Sequence, residues 1–227
     1  MNAVYHLGKG FGQFCFHTFG KLEVAGKESI PPYGPLLVVA NHLSFNDPPV
    51  LVCGIPRSLN FIGKQELFGN PVGNFIMRSF NVHPYDRSGV GVDAIRLALR
   101  LLDQGRMVMI FPEGHRSPDH ALRKGMPGAA YIALKSQAPV LPIGITGTEK
   151  ISPWRMPVPL TKFRLNIGQP FSLPNVEGTP NKDVLDGMRD MIMNRIAALL
   201  PPDYRGVYPL TTPARDHRGT RHAGAAR

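Results

Sequence analysis

LLVVANHLSFNDPP, residues 36–49, decides how the rest of the chain is read. Leu36–Ala40 is an unbroken apolar run too short for a helix, and such a run is the signature of a strand buried on both faces. Asn, Ser, Asp and Pro follow at once, residues that favour turns and helix starts. Asp47 before Pro48 and Pro49 reads as an N-cap followed by residues preset for the first helical turn. The stretch is therefore a strand, a polar loop and a helix.

The same alternation continues down the chain. A short helix over residues 48–54 is ended by Ile55-Pro56, and LNFIG at residues 59–63 reads as the next strand. Ile95, Leu99 and Leu102 fall at helical spacing over residues 93–104, with Gly105 where a C-terminal glycine belongs. MVMIF at residues 107–111 is a strand bounded by Gly105 and Pro112; residues 128–137 are helical. VLPIGI at residues 140–145 returns to strand, and its proline implies an edge or an irregular ladder. A strand over residues 163–167 and a helix over 183–200 complete the series. Strands alternating with helices predict a single α/β domain, a mostly parallel mixed sheet flanked by helices. It occupies residues 31–212; the tail 213–227, nearly free of apolar side chains, reads as a disordered basic segment.

The 227 residues hold 26 Lys and Arg against 16 Asp and Glu, a net charge of +10, which favours phosphate-rich partners. Two cysteines, Cys15 and Cys53, give no disulfide framework and fit a reducing compartment. No window approaches the apolar length of a spanning helix. Residues 1–30 carry instead an aromatic-rich segment in which Val4, Leu7, Phe11 and Phe14 share one helical stripe among His6, Lys9 and His17. Such a segment lies in a bilayer interface or packs on the protein's own core, and the basic surplus favours the interface.

His42 stands two residues past a strand end, where active groups gather in open α/β sheets, and Asp47 follows five residues later. A tight turn between them brings the carboxylate to the imidazole Nδ1–H, fixes the tautomer and leaves Nε2 to take a proton from a hydroxyl. There is no G-x-S-x-G elbow, and Cys53 in VLVCGIP reads as a small buried thiol. FPEGHRS at residues 111–117 is a second polar cluster directly after a strand. Gly114 lets backbone approach a ligand, Arg116 offers a fork matched to phosphate, and Glu113 accepts from a substrate hydroxyl or braces the arginine. Arg87 in PYDRSG and Lys64 just past a strand end join Arg116 as a candidate phosphate pocket.

In order, NHLSFND, Arg87 in PYDRSG, FPEGHRS and VLPI resemble the four sequence blocks of the glycerolipid acyltransferases, specifically the 1-acylglycerol-3-phosphate acyltransferases. GKQELF at residues 63–68 also resembles a family segment. The blocks span residues 36–145, about half the chain, with His42 and Glu113 about seventy residues apart. The resemblance implies that acyl-CoA or acyl-carrier protein donates an acyl group to the 2-hydroxyl of lysophosphatidate, with no cofactor or metal. It implies His42 as general base, Asp47 as its orienting partner, and Lys64, Arg87, Glu113, Gly114 and Arg116 as substrate-binding residues. It implies backbone N–H groups near the helix after His42 as oxyanion stabilisers. It also implies a peripheral or monotopic place on the cytoplasmic face of a membrane, with no nucleic-acid partner. His115 stands where the family usually has threonine, a departure that bears on acceptor selectivity more than on the reaction. Two other readings stand beside this one. A hydrolase would use His42 and Asp47 as metal ligands and needs a third close ligand. A basic membrane- or nucleic-acid-binding module leaves both polar blocks without a role, and another lysolipid is the alternative acceptor.

Overall fold

The computed structural model describes residues 3–85, 91–152, 155–176, 178 and 180–210. Among these residues seven strands form one sheet: β1 (Lys21–Ala25), β2 (Leu36–Ala40), β3 (Leu59–Lys64), β4 (Val82–Tyr85), β5 (Met107–Ile110), β6 (Val140–Thr146) and β7 (Lys162–Ile167). Among the described residues six α-helices accompany them: α1 (Ala3–Thr18), α2 (Asp47–Gly54), α3 (Pro71–Ser79), α4 (Val92–Asp103), α5 (Gly128–Ser136) and α6 (Lys182–Ala197). The strand order is β1-β7-β6-β2-β5-β3-β4. β6, β2, β5, β3 and β4 run parallel; β7 lies antiparallel to β6, and β1 pairs parallel with β7. The expected single-domain α/β fold with a mostly parallel mixed sheet is what forms.

The period of two in the strands explains the two cores. Leu36, Val38 and Ala40 face one hydrophobic cluster with Met107, Met109, Leu141 and Ile143. Leu37 and Val39 face the other, with residues of α4, α5 and α6. All five residues of β2 are fully buried. At roughly 1.5–3 kcal/mol for each large apolar side chain removed from water, this strand anchors both layers.

β6 departs from the expected edge position, since it pairs with β2 on one side and β7 on the other. The irregular ladder is present. The β6–β7 pairing at Ile143 and Ile167 slips by one residue to an isolated bridge between Val140 and Phe171. Pro142, which has no N–H to give, sits in that slip, and its carbonyl accepts from the Gly168 N–H at 2.9 Å.

α1 packs on the core along one side and leaves an apolar stripe exposed along the other. Tyr5, Cys15 and Phe16 are buried, whereas Leu7, Phe11 and Phe14 are more than half exposed. Lys9 turns inward: its Nζ lies 2.5 Å from the Ile55 carbonyl and 3.0 Å from that of Pro56, capping the end of α2 against the helix dipole. No helix among the described residues is long and apolar enough to cross a membrane. The tail 213–227 lies outside the described residues.

Candidate active site

The site is built where β6, β2 and β5, neighbours in the sheet, release their loops at one edge. β2 and β5 pair with Leu36 opposite Met107 and Val39 opposite Ile110, a constant offset of 71 residues. Carried past the strand ends, that offset sets Glu113 level with His42. The two polar blocks meet for this reason. The His42 N–H donates to Glu113 Oε1 at 2.8 Å, and the His42 carbonyl accepts from the Ser117 N–H at 2.8 Å. The Phe111 ring stacks on the imidazole, centroids 3.9 Å apart and planes 14° from parallel. Block three thus fixes the backbone and the ring of His42 together.

Asp47 is fully buried. It is the first residue of α2, one position later than an N-cap, and its carboxylate turns back into the loop. Oδ2 accepts from the Leu43 N–H at 2.7 Å and the Ser44 N–H at 2.9 Å and lies 2.7 Å from His42 Nδ1. Oδ1 accepts from the Thr148 hydroxyl. A carboxylate already taking two amide protons on Oδ2 acts there as an acceptor, so the proton between it and the imidazole sits on Nδ1. Nε2 has no hydrogen-bond partner among the described residues, and the His42 side chain is 18% exposed. Among the described residues the ring thus keeps one unpaired nitrogen on a partly exposed side chain.

Three supporting residues carried no sequence signal strong enough to name them. Asn41 extends the β2–β6 ladder with its side chain, donating to the Ile145 carbonyl at 2.9 Å and accepting from the Ile145 N–H at 2.7 Å. Asn46 donates to the Ile151 carbonyl at 2.7 Å. Thr148 follows Gly147, whose φ of 85° and 2.3 Å approach of a would-be Cβ to the Lys162 carbonyl exclude a side chain. Asn41→Ala leaves two buried backbone groups of Ile145 unpaired, and a loss of about 2–5 kcal/mol in urea unfolding is expected. A change below about 1 kcal/mol contradicts this account of the strand end.

Glu113 does not stand where a glycerol ligand or an arginine brace was expected. It is buried, and its second oxygen, Oε2, accepts from the Arg123 N–H at 2.9 Å. Both oxygens are held by main-chain amides. Burial pushes its carboxyl above the usual carboxylate range, and the Arg123 and His42 amides pull it back. Gly114 turns the loop with φ 73°, with Met126 against it. Arg116 is exposed and lies over the Phe45 ring at 3.6 Å. That stacking is worth about 0.5–1 kcal/mol at an exposed site, less than the roughly 1.5–3 of a charged hydrogen bond, so the guanidinium is free to exchange the ring for an anion. Lys64 ends β3 at the same edge of the sheet, half-buried. Arg87 lies outside the described residues.

The amides near the start of α2 are largely unavailable to an oxyanion. Leu43 and Ser44 serve Asp47, the Asn46 N–H donates to Ser44 Oγ at 3.0 Å, and the Asp47 N–H to the Ser44 carbonyl at 3.3 Å. Pro48 and Pro49 have none to give. Between residues 43 and 47 the Phe45 N–H alone has no partner among the described residues. Cys53 is buried against α1, its thiol pushed up to about 12 by that burial, and stays protonated. No three His, Cys, Asp or Glu side chains among the described residues converge as a metal site.

Residues 21–146 match the family profile described as Acyltransferase, a span that holds every residue of this constellation but Thr148 and Ile151. The chain belongs to this acyltransferase family. Its relatives include the 1-acyl-sn-glycerol-3-phosphate acyltransferase of Bacillus subtilis, 31% identical over 183 residues that cover 79% of this chain and 88% of that one. The chloroplastic 1-acyl-sn-glycerol-3-phosphate acyltransferase BAT2 of Brassica napus is 34% identical over 66% of this chain and 44% of its own length. Among solved structures, the 1-acyl-sn-glycerophosphate acyltransferase PlsC of Thermotoga maritima superposes with a TM-score of 0.68 at 29% identity, covering 86% of this chain and 78% of that one. The likeness to that solved acyltransferase extends to the overall fold of the sheet and its helices.

Proposed function

We propose that this acyltransferase moves an acyl group from acyl-CoA or acyl-carrier protein to the 2-hydroxyl of lysophosphatidate, giving phosphatidate for phospholipid synthesis. The observation that carries the reading is the His42 imidazole, tied at Nδ1 to a buried carboxylate and, among the described residues, unpaired at Nε2. His42 takes the hydroxyl proton on Nε2 as the lipid oxygen attacks the thioester carbon. Asp47 stabilises the imidazolium, and the tetrahedral intermediate collapses by breaking the C–S bond. His42 then returns the proton to the departing thiolate. Orientation of the two substrates supplies a large part of the acceleration, roughly 7–11 kcal/mol at its extreme.

Arg116, Lys64 and Arg87 hold the acceptor phosphate in this reading, and Gly114 lets the loop approach it. Glu113 holds the His42 loop in place of contacting glycerol. The exposed face of α1 rests in the membrane interface on the cytoplasmic side, which brings the acceptor to the enzyme without a spanning helix. The test is direct: purified protein, 1-acyl lysophosphatidate and a long-chain acyl-CoA or acyl-carrier protein should yield phosphatidate. No phosphatidate with either donor, under conditions where the protein is folded, rejects the assignment. Arg116→Ala should raise KM for lysophosphatidate roughly 10- to 100-fold and change kcat little. An unchanged KM removes Arg116 from the phosphate site.

A further inference from the structure

The described surface carries a second apolar helix face besides that of α1. Val72 and Phe75 on α3 are 67% and 61% exposed, Ile76 is 42% exposed, and Leu67 just before the helix is 47% exposed. Positions 72, 75 and 76 fall on one side of a helix at 3.6 residues per turn. Soluble monomers seldom leave such a run of large apolar side chains in water.

Three observations tie this face to α1. First, the two helices meet. Phe80, which ends α3, has its ring 5.9 Å from that of Tyr5, and a Cβ on Gly8 would lie 2.4 Å from the Phe80 ring. Phe80 and Val82 pack with Tyr5 and Phe16 on the same hydrophobic cluster, so α1 and the end of α3 lie on one side of the sheet. Second, neither helix contains an acidic residue, and α3 ends with the exposed Arg78. Acidic side chains on these helices would be repelled by anionic headgroups; the helices carry none, and the exposed Glu66 lies outside them, before Leu67, in a chain of net charge +10. Third, α3 follows Lys64 through one short turn, so its apolar start lies at the edge of the sheet that carries His42.

We propose that α3 is a second bilayer-contact element, lying beside α1 on a leaflet rich in anionic headgroups and setting the His42 edge against the lipid surface. The inference rests on the reading of α1 as an interfacial helix. It adds that α1 alone does not define the membrane-facing plane: a second apolar stripe on α3, a helix joined to α1 through the Tyr5–Phe80 contact, gives the domain a second line of contact with the leaflet.

Vesicle partition of the full chain tests this without any turnover. On vesicles of phosphatidylglycerol and phosphatidylcholine, Phe75→Asp combined with Ile76→Asp should weaken partition roughly tenfold or more, with circular dichroism unchanged because both side chains point to solvent. Phe11→Asp on α1 should weaken it as well. Loss with Phe11→Asp but wild-type partition with the α3 pair overturns the α3 inference and leaves α1 standing. Wild-type partition by both variants overturns both. A wild-type dimer that the α3 pair dissociates, with vesicle partition unchanged, assigns the face to a second copy of the chain and also overturns the proposal.

Discussion

His42→Ala lowers kcat for phosphatidate formation roughly 10²- to 10⁴-fold, the range that a positioned proton acceptor contributes. The fold survives the change. Asp47 Oδ2, which loses the imidazole, still accepts from the amides of Leu43 and Ser44, and Glu113 and Ser117 hold the backbone of residue 42, which an alanine also has. The stacking partner Phe111 loses one face, a deficit of about 1 kcal/mol. Circular dichroism and thermal unfolding close to wild type, beside the collapse of turnover measured with saturating lysophosphatidate, make the expected pattern. Wild-type kcat in a folded His42→Ala protein removes the imidazole from the reaction.

Asp47 separates chemistry from architecture when two replacements are compared. Asp47→Asn keeps an oxygen for the amides of Leu43 and Ser44 and for His42 Nδ1–H, and its NH₂ meets the Thr148 hydroxyl as a donor. Stability stays within about 1 kcal/mol, while loss of the negative charge beside the forming imidazolium lowers kcat roughly 10²-fold or more. Asp47→Ala strips the acceptor from buried donors, at about 1–3 kcal/mol for each, and should cost about 2–5 kcal/mol in urea unfolding in addition to the activity. Equal stability of the two variants contradicts the hydrogen-bond network described for the loop. Wild-type kcat in Asp47→Asn contradicts its electrostatic part.

The central strands were legible because burial on both faces writes itself as an unbroken apolar run. Leu36–Ala40 and Met107–Ile110 appear within one residue of their expected ends. The edge elements were harder. β1, with the sequence Lys-Leu-Glu-Val-Ala, exposes alternate residues, and β4 contains Pro84, which suits an edge strand but weakens the strand pattern. α3 was missed although Asn70 accepts from the Gly73 N–H as an N-cap and Pro71 follows it. The signal was present, but Gly73 and Asn74 blunted the helical pattern.

For the site, the local turn between His42 and Asp47 was readable from short-range turn chemistry. The roles of Glu113 and Thr148 were not. Both depend on strand register: an offset between β2 and β5 that levels Glu113 with His42, and a place for β6 beside β2 that brings Thr148 to Asp47. Sequence spacing cannot state which strands are neighbours. The same limit applies to the helix-start amides, whose claim by Asp47 is a product of the folded loop.

Nitrogen-15 NMR of the histidine rings, with His42 assigned by its absence in His42→Ala, reads the tautomer on which the proton transfer depends. The account predicts that the neutral His42 ring carries its proton on Nδ1 and shows Nε2 as the unprotonated nitrogen, with that preference lost in Asp47→Ala. A His42 ring found protonated at Nε2 and bare at Nδ1 would have nothing to accept the lipid hydroxyl proton, and would contradict the mechanism.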